Sequence, residues 1–156
     1  MWGTDAYMGW GHNFKCNNCG KIGDIYYGSG MEYPEDCEAV YEKAQNGELG
    51  DDWKSCVTDN PYGAFDCTLE VYKCTKCNFW KNDSRKNYYI STTAKKLRHR
   101  YVTDKDEGQI RCIKRFHHKC PRCSGVMHRV ELIKESLNCV ECRSTIDIDF
   151  HQFIWD

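Results

Sequence analysis

Apolar and polar positions alternate in short runs along most of this chain, and a helical period shows only between residues 33 and 58. Cys37, Val40, Tyr41 and Ala44 recur at the spacing of one helix face. Pro34 suits the first turn, Glu35 and Asp36 favour the positive end of the helix dipole, and Asn46-Gly47 closes the segment. A second short helix is predicted over 51–58, with Leu49, Trp53, Cys56 and Val57 inward, before the turn cluster Asp59-Asn60-Pro61-Tyr62-Gly63. Alternation predicts strands near 12–15, 22–27, 68–73, 87–92, 109–119, 126–133 and 144–155. Asn82-Asp83-Ser84 reads as a turn, and 94–109 as a loop or short helix ended by Gly108. Short strands with a helical interlude predict an α+β fold.

Cysteine changes this picture most. Of twelve cysteines in 156 residues, eight fall in four Cys-x-x-Cys pairs. Disulfide frameworks rarely pair so uniformly, whereas metal knuckles do, so a reducing, cytoplasmic setting is expected. Cys120, Cys123, Cys139 and Cys142 have the spacing that places four thiolates around one tetrahedral ion. Zinc is the expected ion, and iron is the alternative that four sulfurs also accept. Pro121 and Gly125 suit the tight turn, and Gly20 suits a positive φ after the first pair. Cys16, Cys19, Cys74 and Cys77 are then assigned to a second ion. Joining Cys74/Cys77 to Cys120/Cys123 instead leaves Cys139/Cys142 without its obvious partner.

The expected organisation is therefore two zinc ribbons. Residues 1–92 form the first, carrying a helical insertion at about 31–60, residues 93–109 a basic loop or short helix, and residues 110–156 the second. Cys37, Cys56, Cys67 and Cys112 stand alone and are expected as small buried hydrophobes. No local motif joins them to His12, His99, His117 or His118 as a nucleophile–base pair, and the two adjacent histidines are expected at the surface.

The net charge of −1 excludes a chain that is basic on average, but its distribution is uneven. Residues 24–70 hold twelve acids against Lys43 and Lys54, whereas residues 71–129 hold sixteen Lys or Arg against four acids. The basic stretch is interleaved with Tyr88, Tyr89, Tyr101 and Phe116, the combination that neutralises phosphates and stacks on bases. Candidate nucleic-acid contacts are Lys81, Arg85, Lys86, Lys95, Lys96, Arg98, Arg100, Arg111, Lys114 and Arg115. The competing reading is an internal match to the acidic helices. No run of about 18 apolar residues predicts a transmembrane helix, and the first residues lack a basic, then apolar, signal pattern.

With the pairs placed, Phe14-Lys15-Cys16-Asn17-Asn18-Cys19-Gly20, Tyr33-Pro34, Asn46-Gly47-Glu48-Leu49-Gly50, Asn60-Pro61-Tyr62-Gly63-Ala64-Phe65-Asp66 and Tyr72-Lys73-Cys74-Thr75-Lys76-Cys77 give a resemblance. The chain is similar over most of residues 14–142 to small bacterial proteins with paired four-cysteine zinc ribbons. The resemblance implies two zinc sites and a bacterial or phage setting, and no activity. Two closed sites leave no open position for metal catalysis. The leading expectation is a non-enzymatic module that recruits or modulates a nucleic-acid-handling protein. Direct DNA or RNA binding through 81–122 is second, and an enzyme with an unrecognised site is third. Oligomeric state is left open.

Overall fold

A computed structural model of the chain describes residues 8–93, 96–97 and 99–155. The fold is α+β. In chain order the elements are β1 (Gly9–Cys16), β2 (Ile22–Gly28), α1 (Tyr33–Gln45), α2 (Asp51–Asp59), β3 (Ala64–Asp66), β4 (Leu69–Cys74), β5 (Trp80–Ser84), β6 (Asn87–Ser91), β7 (Ile110–Lys114), β8 (Met127–Arg129), β9 (Ile146–Ile148) and β10 (Phe153–Trp155). A single 3-10 turn, Asp104–Asp106, precedes β7, held by reciprocal bonds between Thr103 and Asp106.

Both helices lie where the 3.6 period predicts them. Tyr33, Cys37, Val40, Tyr41 and Ala44 of α1 are buried, as are Trp53 and Val57 of α2. The strands depart from expectation in four places. Asn82–Ser84 is not a turn but part of β5. The Asn82 amide donates to the carbonyls of Tyr26 and Glu70 and its oxygen accepts the Tyr26 N–H, so a turn-forming residue ties β2, β4 and β5 together. The strand expected over 126–133 is only β8. The one expected over 109–119 ends at Lys114, beyond which the Phe116 N–H turns to the Asn87 side chain. The last strand is split: the Asp149 N–H reaches Asn13 and its carboxylate caps the His151 N–H, forming a side-chain turn between β9 and β10.

The chain divides into two compact units, and the division differs from the linear one expected at 92 and 110. Unit 1 gathers residues 1–30, 69–83 and 117–156, and unit 2 gathers 31–68 and 84–116. All four Cys-x-x-Cys pairs fall in unit 1, and both helices fall in unit 2 with the basic stretch 84–116. Long-range strand pairing is the reason: the segments that close unit 1 come from opposite ends of the chain.

Unit 1 is built on antiparallel strands in the order β10-β1-β2-β4-β5, with β9 also on β1 and β8 also on β4. Its core combines Phe14, Ile25, Val71, Trp80, Val130, Leu137 and Ile146 with the sulfurs of Cys16 and Cys139. The Trp80 indole N–H donates to the carbonyl of Asn138 at 2.7 Å. A second cluster of Tyr72, Cys74, Cys120 and Met127 surrounds the other cysteines.

Unit 2 packs α1 and α2 with a three-stranded sheet in the order β3-β6-β7. Aromatic rings fill it: Phe65 and Tyr88, both fully buried, lie 4.8 Å apart, and Trp53 stacks on Phe65 at 5.7 Å. The Tyr88 hydroxyl donates to the carbonyl of Asn60, and Gly63 lets that ring pass where a side chain would collide. The Asn-Pro-x-Gly-Ala stretch thus has a packing role. Buried Asp66 accepts from the N–H and hydroxyl of Thr68, from the Tyr33 hydroxyl and from Arg85, so its charge is fully partnered.

Candidate metal centres

Each Cys-x-x-Cys pair forms the same turn. The N–H of the first cysteine donates to the carbonyl five residues on: Cys16 to Lys21, Cys74 to Phe79, Cys120 to Gly125 and Cys139 to Ser144, at 2.6–2.8 Å. The residue after the second cysteine takes a positive φ in every case: Gly20 at 77°, Asn78 at 60°, Ser124 at 59° and Arg143 at 66°. Glycine serves at the first as expected, while non-glycine residues accept the strained conformation at the other three. Gly125 has a different role from the one its position suggests. A Cβ there would sit 3.0 Å from the sulfur of Cys74 and 3.2 Å from that of Cys123, so glycine keeps the space beside the sulfurs clear.

The eight cysteines form two clusters, and the assignment differs from the one expected. Cys16 and Cys19 join Cys139 and Cys142, while Cys74 and Cys77 join Cys120 and Cys123. In the first, Cys16–Cys142 and Cys19–Cys139 sulfurs are 3.4 and 3.6 Å apart; in the second, Cys74–Cys123 and Cys77–Cys120 are 3.4 and 3.5 Å apart. The strands impose this. Cys16 is paired across β1–β9 with Ile146, and Cys74 across β4–β8 with Met127. Each partner lies four residues beyond the last cysteine of the opposing knuckle, so the two centres are built alike.

These separations test the fit of a metal. Disulfide sulfurs lie at about 2.0 Å, whereas four sulfurs around an ion at about 2.3 Å lie roughly 3.8 Å from one another. The clusters match the second case to within a few tenths of an ångström, and all twelve cysteines are free thiols. Four soft donors in a closed set suit zinc or iron. The first cysteine of each knuckle is buried, and the second faces outward or is half-exposed.

Local dipoles favour thiolates. The N–H of Cys77 and then that of Lys76 point at the Cys74 sulfur and lower its pKa to about 6. The Asn18 side chain, followed by the N–H and hydroxyl of Ser144, lowers Cys142 to about 5. The N–H of Cys142 lowers Cys139. At Cys120 burial opposes ionisation, but the N–H groups of Cys123 and Arg122 outweigh it and the thiol shifts downward. The Lys21 N–H favours the Cys19 thiolate and the Gly125 N–H that of Cys123. Burial and the neighbouring thiols oppose it, and both rise to about 12. In the metal-free cluster some thiols stay protonated, so metal binding must release protons. Asn18 and Ser144 were not singled out by composition, although each lies within or just after a knuckle, where N–H and O–H donors meet sulfur.

Lys21 binds Glu141 at 2.8 Å, linking the two knuckles of the first centre. Arg122 lies over the Phe79 ring and donates to the Val140 carbonyl. A cleft of about 380 Å³ lined by Lys76, Arg122 and Arg143 adjoins both knuckle sets. An ion of charge two with four thiolates carries a net double negative charge, which these cations offset. His118 is a correction to the surface placement expected for it. It is buried, stacked on Tyr72 at 3.7 Å, with Nε2 3.7 Å from an Asp83 oxygen. His117 is exposed.

The basic candidates are largely engaged. Arg85 binds Asp66 at 3.1 Å, Lys114 binds Asp52 at 2.7 Å, and Lys81 binds Asp83 at 2.8 Å. Lys86, Lys96 and Arg100 lie over the rings of Phe116, Tyr62 and Tyr41. Arg111 and Arg115 are exposed. Lys95 and Arg98 lie outside the described residues. Unit 2 carries thirteen Asp or Glu against twelve Lys or Arg, so the acidic and basic runs balance inside one unit. Among the described residues no helix is long and apolar enough to cross a membrane. No family model, curated protein or solved structure matches the chain.

Proposed function

We propose that the chain is a zinc-stapled, non-catalytic interaction module. The observation that carries this reading is the donor set: two clusters of four cysteine sulfurs, each complete in itself. Complete four-sulfur sites hold structural zinc and leave no coordination position for substrate or water. Each joins segments far apart in the chain, which is the work of a staple. A reducing, cytoplasmic setting belongs to the same proposal, because all eight ligands must remain thiols. The partner is a protein, and a nucleic-acid-handling one in the reading taken from the chain's paired cysteines and charge runs. The engagement of Arg85, Lys114, Lys86, Lys96 and Arg100 within their own unit favours a protein partner over direct nucleic-acid contact.

Metal analysis of protein purified without added metal tests the first part: two zinc ions per chain are expected, and one or none contradicts the reading. Titration with random single- and double-stranded oligonucleotides at low salt tests the second. No saturable binding up to about 10 µM is expected. Salt-sensitive binding lost in Arg111→Ala/Arg115→Ala would transfer the assignment to direct nucleic-acid binding.

A further inference from the structure

The two centres are built on the same turns, yet their outer sulfurs are not equally covered. Cys77 and Cys123, the second cysteines of the one centre, are both exposed, with their sulfurs 3.6 Å apart. In the other centre Cys19 is exposed but Cys142 is only half-exposed. Susceptibility to oxidation follows exposure and thiolate character, so this difference is a chemical one.

The sequence supplies the cause. The fifth residue after the first cysteine is Ser144 in the Cys139/Cys142 knuckle and Gly125 in the Cys120/Cys123 knuckle. Ser144 turns its N–H and its hydroxyl to the Cys142 sulfur, and the Asn18 side chain joins them. Gly125 brings an N–H to Cys123 but no side chain. A Cβ there would lie 3.2 Å from the Cys123 sulfur, so glycine leaves that side of the sulfur open. Lys21 and Glu141 also join the knuckles of the first centre at 2.8 Å, whereas residues 74–79 and 120–125 contain no acid with which to form such a bridge. Cys77 borders the cleft lined by Lys76 and Arg122, cations that favour a thiolate. Cys139 borders the same cleft from the other centre, but it is buried.

We propose that Cys77 and Cys123 are an oxidation site, where a peroxide closes a disulfide and discharges the metal of their centre while the other centre keeps its ion. This rests on the metal-stapled reading and states how one staple is opened. The Cys77 thiolate attacks one peroxide oxygen; the O–O bond breaks, and the hydroxide that leaves takes a proton from solvent. The Cys123 thiolate then attacks the sulfenic acid on Cys77. The S–S bond forms, the S–O bond breaks, and a second hydroxide leaves and is protonated. Two thiolates thus lose two electrons, and one peroxide with two protons becomes two waters. The sulfurs close from 3.6 Å to about 2.0 Å. Cys74 and Cys120 remain as two ligands, too few to hold a tetrahedral ion.

Treatment of the zinc-loaded full chain with about a tenfold molar excess of hydrogen peroxide tests this, with zinc read by indicator absorbance and disulfides by peptide mass mapping. One zinc ion per chain is expected to leave at least about tenfold faster than the other, as a Cys77–Cys123 disulfide forms at the same rate. A dithiol reductant with added zinc should return the ion. Ser144→Gly leaves all eight ligands in place but strips the hydroxyl from Cys142, and should speed the slower release about threefold or more. Two ions that leave together, resistance of both to peroxide, or a first disulfide other than Cys77–Cys123 overturns the proposal. So does a slower release indifferent to Ser144→Gly. Zinc counted before peroxide is added separates these results from failure of the metal reading, which fewer than two ions per chain would mark.

Discussion

The two units reach a folded state by different means. Unit 1 draws three chain segments together, and the sulfurs of Cys16 and Cys139 join Phe14, Ile25 and Trp80 in its core. Its ligands sit up to 126 residues apart. Unit 2 uses two segments, two helices and a tightly packed set of rings around Phe65 and Tyr88, and none of the eight clustered cysteines lies in it. The closing strands β8 and β9 are three residues long and their pairing is remote, so they bury little area and their loop closure is costly, and a metal ion held by the four sulfurs would offset both. Where helices and aromatics supply area locally, no ion is required. The contrast predicts that the units respond separately to each perturbation.

Removing metal should have the largest effect, since structural zinc contributes about 10–16 kcal/mol in small domains. A strong chelator should abolish amide protection in β1, β4, β8 and β9 while the protection of α1 and α2 persists, as read by hydrogen exchange. Simultaneous loss in both units would break the comparison. Acid should act in the same direction. Thiols whose folded pKa is lowered contribute stability that is fully present above the ordinary thiol value of 9.0. It is lost as pH falls through about 6 for Cys74 and about 5 for Cys142. Protons compete with the metal for these sulfurs, so metal release and loss of unit 1 are expected on acidification, followed by zinc-indicator absorbance.

The converse variant is Phe65→Ala. It should cost about 3–5 kcal/mol and unfold the helices while two zinc ions stay bound. Gly63→Ala is next. Its Cβ would press on the Tyr88 ring and lie 2.7 Å from the Tyr89 carbonyl oxygen, at a cost of about 1–3 kcal/mol in unit 2 alone. Ser124→Gly should work the other way. It relieves a φ of 59° and should stabilise unit 1 by roughly 1 kcal/mol, seen as slower zinc loss to a chelator. The smallest effect belongs to Asp52, whose carboxyl lies below its ordinary value because the Lys114 ammonium donates to it. Such a group contributes above the ordinary carboxylate pKa and loses its contribution as pH falls through the lowered folded value. Lys114→Met should therefore flatten the acid limb of the unit 2 helical signal, with little change at neutral pH.

The helices of unit 2 were legible because Cys37, Val40, Tyr41 and Ala44 declare a period within a single turn-to-turn pattern. The four knuckles were legible because each is complete within six residues. Which knuckle faces which was not. That is decided by β1 meeting β9 and β4 meeting β8, pairings across more than a hundred and about fifty residues that leave no local periodicity. The nearness of Cys123 and Cys139 along the chain favoured the wrong partner. The charge runs misled for a related reason: separated in sequence, they are neighbours in unit 2, where Arg85 meets Asp66 and Lys114 meets Asp52.

The interleaved ligand sets hold the three segments of unit 1 together, and cadmium-113 substitution with through-bond correlation to the cysteine β-protons tests them most directly. Two cadmium resonances are predicted, one coupled to Cys16, Cys19, Cys139 and Cys142 and the other to Cys74, Cys77, Cys120 and Cys123. A resonance coupled to Cys16 and Cys74 together, or to Cys120 and Cys139 together, would contradict it.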